Sequence, residues 1–152
     1  MKILVINGPN INMLGTREPN VYGKQNYDAL VKYIYDVGQE LKITADCFQS
    51  NHEGEIVDAI QDALGKYQGI VINPAAYTHT SIAILDALKA VDLPAVEVHL
   101  SDVSQREPFR QISYAGMACI KTYMGLGFEG YRQAICFLAS HINEKANPVK
   151  DS

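Results

Sequence analysis

Short apolar runs that alternate with longer amphipathic stretches constrain this chain more than any other feature. Residues 2–6 read KILVI, a continuous apolar run of the kind found in strands buried on both faces. Gly8 and Pro9 end it. Over residues 27–41, Leu30, Ile34, Val37 and Leu41 recur on one helical face, and residues 43–49 form a second strand. The next helix covers residues 54–64, with Ile56, Val57, Ile60 and Leu64 as its stripe. GIVINP, residues 69–74, is a third strand ended by Pro74, and residues 80–91 are a third helix. Pro94 opens a fourth strand, AVEVHL, at 95–100. A fifth strand falls between residues 117 and 124, and the last helix starts near Glu129 with Tyr131, Ala134, Ile135, Leu138 and Ile142 turned inward.

Strand and helix signals that alternate without an internal repeat or linker predict a parallel sheet covered on both sides. Five strands and about five helices in 152 residues fit an α/β chain with a flavodoxin-like, doubly wound five-stranded parallel sheet of order 2-1-3-4-5. With 47% hydrophobic content, one domain spanning residues 1–152 is expected. A formal charge of −4 and a pI near 5.5 argue against nucleic-acid binding, whose footprint is a basic patch. No apolar run reaches the roughly 18 residues of a membrane helix, and the start of the sequence lacks a signal-peptide pattern; a cytoplasmic protein is expected. Cys47, Cys119 and Cys136 stand apart among apolar neighbours and are expected to be reduced core residues.

Sheets of this order bind ligands outside the carboxyl ends of their strands. The segments leaving strands one to four are residues 7–23, 50–54, 73–81 and 99–110, and they hold most of the unusual polar residues. Three of the four arginines, Arg17, Arg106 and Arg110, fall in the first and last segments, with His79 and His99 in the third and last. Arginine concentrated at one end of an acidic chain points to a small anionic ligand, because guanidinium groups grip carboxylates and phosphates through paired hydrogen bonds. The plainer reading is solvated surface arginine paired with Glu18 and Glu107. The first segment, NGPNINMLGTREPNVYG, carries the fixed-geometry residues Pro9, Gly15, Pro19 and Gly23, so its backbone is expected to hold Asn12, Arg17 and Tyr22 around a ligand. An ordered surface loop stays open as the alternative.

Several chemistries lack their signature. There is no HExxH or CxxC spacing for a metal, no Walker A loop, no GxGxxG and no GxSxG elbow. A phosphorelay receiver would need an acidic residue where Asn73 stands and a lysine where Gly125 stands. Lys24 is the sole lysine near the most polar segments, which disfavours an imine mechanism. Tyrosine and histidine remain. Tyr22, with an ordinary pKa of about 10, would act as a base only if cations such as Arg17 stabilise its phenolate. His99 follows Glu97 by two residues in a strand, so both side chains share a face and the carboxylate is placed to orient the imidazole. A histidine merely hydrogen-bonded at a strand end is the alternative.

NGPNINMLGTREPNVYG, QSNHEGEIVDAI, NPAAYTHTSIA, EVHLSDVSQREPFR and GLGFEGY, in this order, resemble the blocks of the type II 3-dehydroquinate dehydratases over essentially the whole chain. The resemblance implies the flavodoxin-like fold and a cofactor-free anti elimination of water from 3-dehydroquinate, giving 3-dehydroshikimate. It implies that Tyr22 is the base, with Arg17 and Arg106 lowering its pKa, that Asn12 holds a water against the enolate, and that His99, oriented by Glu97, is the acid. Asn73 and the amides of Leu100 and Ser101 would bind the substrate carboxylate, His79 and Arg110 the ring hydroxyls, and residues 17–24 would form a mobile lid. The sequence departs from the family at Asp102, where asparagine is usual. Read alone, Asp86 is an exposed helix position that should not reach its own site; the resemblance implies that it serves a neighbouring subunit within a dodecamer built from trimers. The alternative from another class is a non-catalytic flavodoxin-like module that holds a small anion or flavin.

Overall fold

A computed structural model describes residues 1–16 and 25–148 of the chain. Strands β1 (Lys2–Asn7), β2 (Thr44–Gln49), β3 (Gly69–Asn73), β4 (Ala95–His99) and β5 (Lys121–Met124) form one sheet in the order β2-β1-β3-β4-β5, with every pair parallel. This is the flavodoxin-like order expected from the sequence. Helices α1 (Tyr27–Leu41) and α4 (Phe128–Ala146) cover one face, and α2 (Glu53–Ala63) and α3 (Ile82–Val91) cover the other. On β1, Ile3 and Val5 face α1 and α4, whereas Leu4 and Ile6 face α2 and α3. A strand covered on both sides has no polar alternation, which is why KILVI reads as one run. Each large aliphatic side chain buried this way contributes roughly 1.5–3 kcal/mol.

Caps set the helix limits. The Asn26 side chain accepts from the amide of Ala29 at 2.8 Å, and Ser81 accepts from Ile84 at 3.0 Å, each satisfying one of the amides orphaned in a first turn. The Ser81 cap explains why α3 begins at Ile82 rather than at Thr80: residues Ala75–His79 form a separate 3-10 turn before it. Two stripe residues are corrected. Leu41 is 38% exposed and Leu64 60% exposed, because Lys42 ends α1 in the left-handed conformation and α2 stops at Ala63, which takes the inward position itself. The described residues contain four α-helices rather than about five. Between β4 and β5 the chain makes only the 3-10 turns Val103–Gln105, Pro108–Arg110 and Ala115–Ala118, with Asp102 accepting from the amide of Ser104 and Pro108 opening the second turn. Cys47 and Cys119 are free thiols at the margins of the two cores, and burial pushes each up to about 12. Among the described residues no helix is long and apolar enough to cross a membrane.

One buried polar junction ties the layers together. Tyr131 of α4 donates to Asn7 Oδ1 at 2.7 Å and accepts from Asn73 Nδ2 at 2.8 Å, so one hydroxyl spans the ends of β1 and β3. All three side chains are buried. Tyr131→Phe keeps the ring and removes only this hydroxyl, leaving both asparagines with a buried unpaired group. Unfolding free energy should fall by about 1–3 kcal/mol, read as a lower urea midpoint with an unchanged slope.

Candidate active site

The sheet order reverses between β1 and β3, and the chain leaves both strands into one crevice, the usual ligand site of such sheets. The amide of Gly8 donates to the Asn73 carbonyl at 2.8 Å. A Cβ on Gly8 would lie 2.5 Å from the Pro74 carbonyl oxygen, so only glycine permits this approach. Asn73 Oδ1 then accepts from the amide of Ala75, whose φ of 52° bends the chain into the Ala75–His79 turn. That bend carries His79 to the crevice.

The result is a cleft of about 880 Å³ lined by Asn73, His79, His99, Leu100, Ser101, Arg106 and Arg110 among others. Gly127 and Phe128 also line it, placing the N-terminal end of α4 and its partial positive charge at the wall. Arg110 Nε bonds Glu107 Oε2 at 2.7 Å, and Arg106 Nε lies 3.8 Å from the same oxygen. Two guanidinium groups thus share one carboxylate, which leaves the rim net cationic. Its own backbone amide and the Arg110 guanidinium hold the Glu107 carboxyl below its usual range.

The other residues named from the sequence are placed differently. Glu97 lies buried behind His99, whose Nε2 is 2.9 Å from Glu97 Oε2. An ionised carboxylate only accepts, so Nε2 carries the proton and Nδ1 is the ring nitrogen left to the cleft side. Asn12 sits on the Ile11–Met13 turn, whose flanking side chains line the cleft, but its Oδ1 accepts from Gln49 Nε2 at 3.3 Å. Asp86 is exposed on α3, away from the cleft lining. Asp102 turns back on Ser104, accepting from its amide at 3.0 Å. Arg17 and Tyr22, with the rest of residues 17–24, lie outside the described residues. Among the described residues no group of three histidine, cysteine or carboxylate side chains forms a metal site.

Residues 1–139 match the model of the family described as dehydroquinase class II. The chain belongs to this family. The 3-dehydroquinate dehydratase of Clostridium perfringens is 52% identical over 95% of this chain and 100% of its own length. The crystal structure of the type II dehydroquinase from Butyrivibrio crossotus superposes with a TM-score of 0.86 at 51% identity, covering 91% of this chain and 97% of that one. That from Propionibacterium acnes gives 0.84 at 40% identity, covering 91% and 96%.

In this class II dehydroquinase, sequence reasoning missed the surroundings of Glu97. Its Oε2 accepts from Thr78 and Ser113 at 2.5 Å each, and its Oε1 accepts from Thr122 at 2.9 Å. Thr78 stands beside His79 in the sequence, a hint of sorts; Ser113 lies beyond the four strand-end segments and carried no signal. Burial alone pushes the Glu97 carboxyl up, but hydrogen bonds from His99, Ser113 and Thr78 outweigh it and hold the group at about 2, against an ordinary 4.5.

A depressed folded value stabilises the fold fully above the unfolded value and is lost as pH falls through the folded one. The window here therefore runs from about 4.5 down to about 2, and the loss is on the order of 3 kcal/mol at 1.36 kcal/mol per unit. Glu97→Gln has no proton to gain there. Urea midpoints measured across this window should show a flatter acid dependence for Glu97→Gln than for the unsubstituted protein; parallel curves would remove Glu97 as the source.

Proposed function

We propose that the chain catalyses the anti elimination of water from 3-dehydroquinate to give 3-dehydroshikimate, without a cofactor, in the cytoplasm. The observation that carries the reading is a class II dehydroquinase chain whose cleft brings together a carboxylate-held histidine, His99, and two rim arginines. The similarity to the Clostridium perfringens 3-dehydroquinate dehydratase, which extends along that protein's whole length, supports the substrate.

Each residue has a bond left over for its role. Asn73 uses one Nδ2 proton on Tyr131, so the second is free for a substrate carboxylate oxygen, together with the amides of Leu100 and Ser101. His79 Nδ1 donates to the Ile112 carbonyl at 2.7 Å, leaving Nε2 for a ring hydroxyl. Arg110 commits Nε to Glu107, leaving its terminal nitrogens for the ring hydroxyls. Asn12, its Oδ1 occupied by Gln49, keeps Nδ2 to hold the water that steadies the enolate. Tyr22, as phenolate stabilised by Arg17 and Arg106, removes the proton alpha to the ketone, and the electron pair moves onto the carbonyl oxygen. Collapse of the enolate then breaks the C–O bond as His99, acting as the imidazolium, gives its Nδ1 proton to the departing hydroxyl and keeps Nε2–H on Glu97. Water leaves, and the conjugated enone remains.

Assembly completes the reading: a dodecamer built from trimers, in which Asp86 serves the cleft of a neighbouring subunit. The exposed face of α3 supports it. Ile82, 55% exposed, is one helical turn from Asp86, and Met117, 62% exposed, lies on the Ala115–Ala118 turn packed against the same helix. An apolar surface around a carboxylate is what a subunit contact would cover.

Addition of 3-dehydroquinate to the purified protein should produce the ultraviolet absorbance of the enone, and Tyr22→Phe should lower kcat by roughly 10²–10⁴, the usual contribution of a general base. Retained activity in Tyr22→Phe would reassign the base. For the shared site, Tyr22→Phe and Asp86→Ala proteins are dissociated, mixed and reassembled. Activity above that of either parent is expected, since some interfaces then pair an intact Tyr22 with an intact Asp86. No recovery, with subunit exchange shown by mass, would confine Asp86 to its own surface.

A further inference from the structure

Glu97 makes more hydrogen bonds than the orientation of one histidine requires. Besides His99, three hydroxyls reach it from three separate parts of the chain: Thr78 on the Ala75–His79 turn, Ser113 just before the Ala115–Ala118 turn, and Thr122 on β5. Gly116 closes the remaining side. A Cβ there would sit 2.8 Å from Glu97 Oε1 and 2.9 Å from Ser113 Oγ, so the enclosure is tight enough to exclude even a methyl group.

Proton counting shows what the enclosure does. Thr78 and Ser113 carry one hydroxyl proton each, their oxygens are 2.7 Å apart, and Ser113 Oγ already accepts from the amide of Gly116 at 3.0 Å. Both protons go to Glu97 Oε2, so the contact between the two hydroxyl oxygens carries none, and the ionised carboxylate acts only as an acceptor. His99 must therefore supply a proton from Nε2. A glutamate carboxylate turns easily about its last torsion, so without these donors neither its orientation nor the histidine tautomer would be fixed. The same strip of chain also reaches the second cleft histidine: the Ile112 carbonyl accepts from His79 Nδ1, and the Tyr114 amide donates to the Thr78 carbonyl at 2.7 Å.

We propose that Thr78, Ser113 and Thr122 are positioning residues that hold Glu97 in one orientation, so that His99 keeps a proton on Nε2 and presents Nδ1 to the cleft. Its kinetic consequence rests on the dehydratase reading; its effect on the imidazole does not.

The test uses the full chain with ¹⁵N-labelled histidine. Long-range ¹H–¹⁵N spectra of the unsubstituted protein should show neutral His99 in the Nε2–H form. In Thr78→Val the Nδ1–H form should appear, and kcat should fall by about 10–100-fold, the usual loss when a group supporting a functional histidine is removed. KM should stay within about threefold, since the change falls on the chemical step. Thr78→Ser, which keeps the hydroxyl, should return both spectrum and kcat to within about twofold of the unsubstituted values. Thr122→Val, on an exposed strand position, should move the spectrum and kcat in the same direction by less, and it decides the matter if Thr78→Val does not fold. Folded variants with unchanged His99 spectra overturn the proposal. If the unsubstituted protein forms no enone, the dehydratase reading fails, and the spectra alone then uphold or overturn the positioning role.

Discussion

Three buried polar side chains, Asn7, Asn73 and Tyr131, meet where β1 and β3 end, and the cleft is hung from that meeting point. Leaving a buried polar group without its partner is expensive, so the two strand ends and α4 are held in the arrangement that pairs Asn7 Oδ1 and Asn73 Nδ2 with the Tyr131 hydroxyl. From there the construction is sequential. Asn73 bonds the amide of Ala75, the backbone turns through a positive φ, and Thr78 and His79 follow on the next turn. Gly8 passes so close to Pro74 that the first segment must leave the sheet along the same wall. A site assembled from strand ends inherits the rigidity of the sheet, and this junction is where that rigidity is transmitted.

The cleft separates its charges by depth. The guanidinium groups of Arg106 and Arg110 stand at the rim, where water and Glu107 share their charge. The buried charge, Glu97, is satisfied by neutral hydroxyls instead. A buried cation would satisfy it as well, but would also repel an imidazolium next door. Hydroxyl donors hold the anion without that penalty, so His99 remains the cationic partner available to it whenever its ring is protonated.

The strands and most helix limits were legible because the two-faced burial of the sheet and the caps at Asn26 and Ser81 leave local marks in sequence. The His99–Glu97 pair was legible for the same local reason, a spacing of two along a strand. Leu41 and Leu64 were misplaced because helical periodicity says nothing about where a cap stops it. The crossover from β4 to β5 was illegible because long-range bonds hold it, from Tyr114 to Thr78 and from His79 to Ile112, each spanning more than thirty residues. Thr78, Ser113 and Thr122 were hidden in the same way. Asn12 was expected to face a ligand, and its neighbours Ile11 and Met13 line the cleft, yet its carbonyl oxygen is held by Gln49 at the end of β2. Nothing local announces that partner either.

The shortness of β5 carries a consequence of its own. It has four residues, pairs among the described residues only with β4, and is reached without an intervening α-helix. Strands with so few partners are the first to detach in local opening, at a free energy well below that of global unfolding. Thr122 travels with this strand, so each detachment uncovers one oxygen of the innermost carboxylate. Breathing at the sheet edge thus opens a route for bulk solvent to the most deeply buried carboxylate among the described residues.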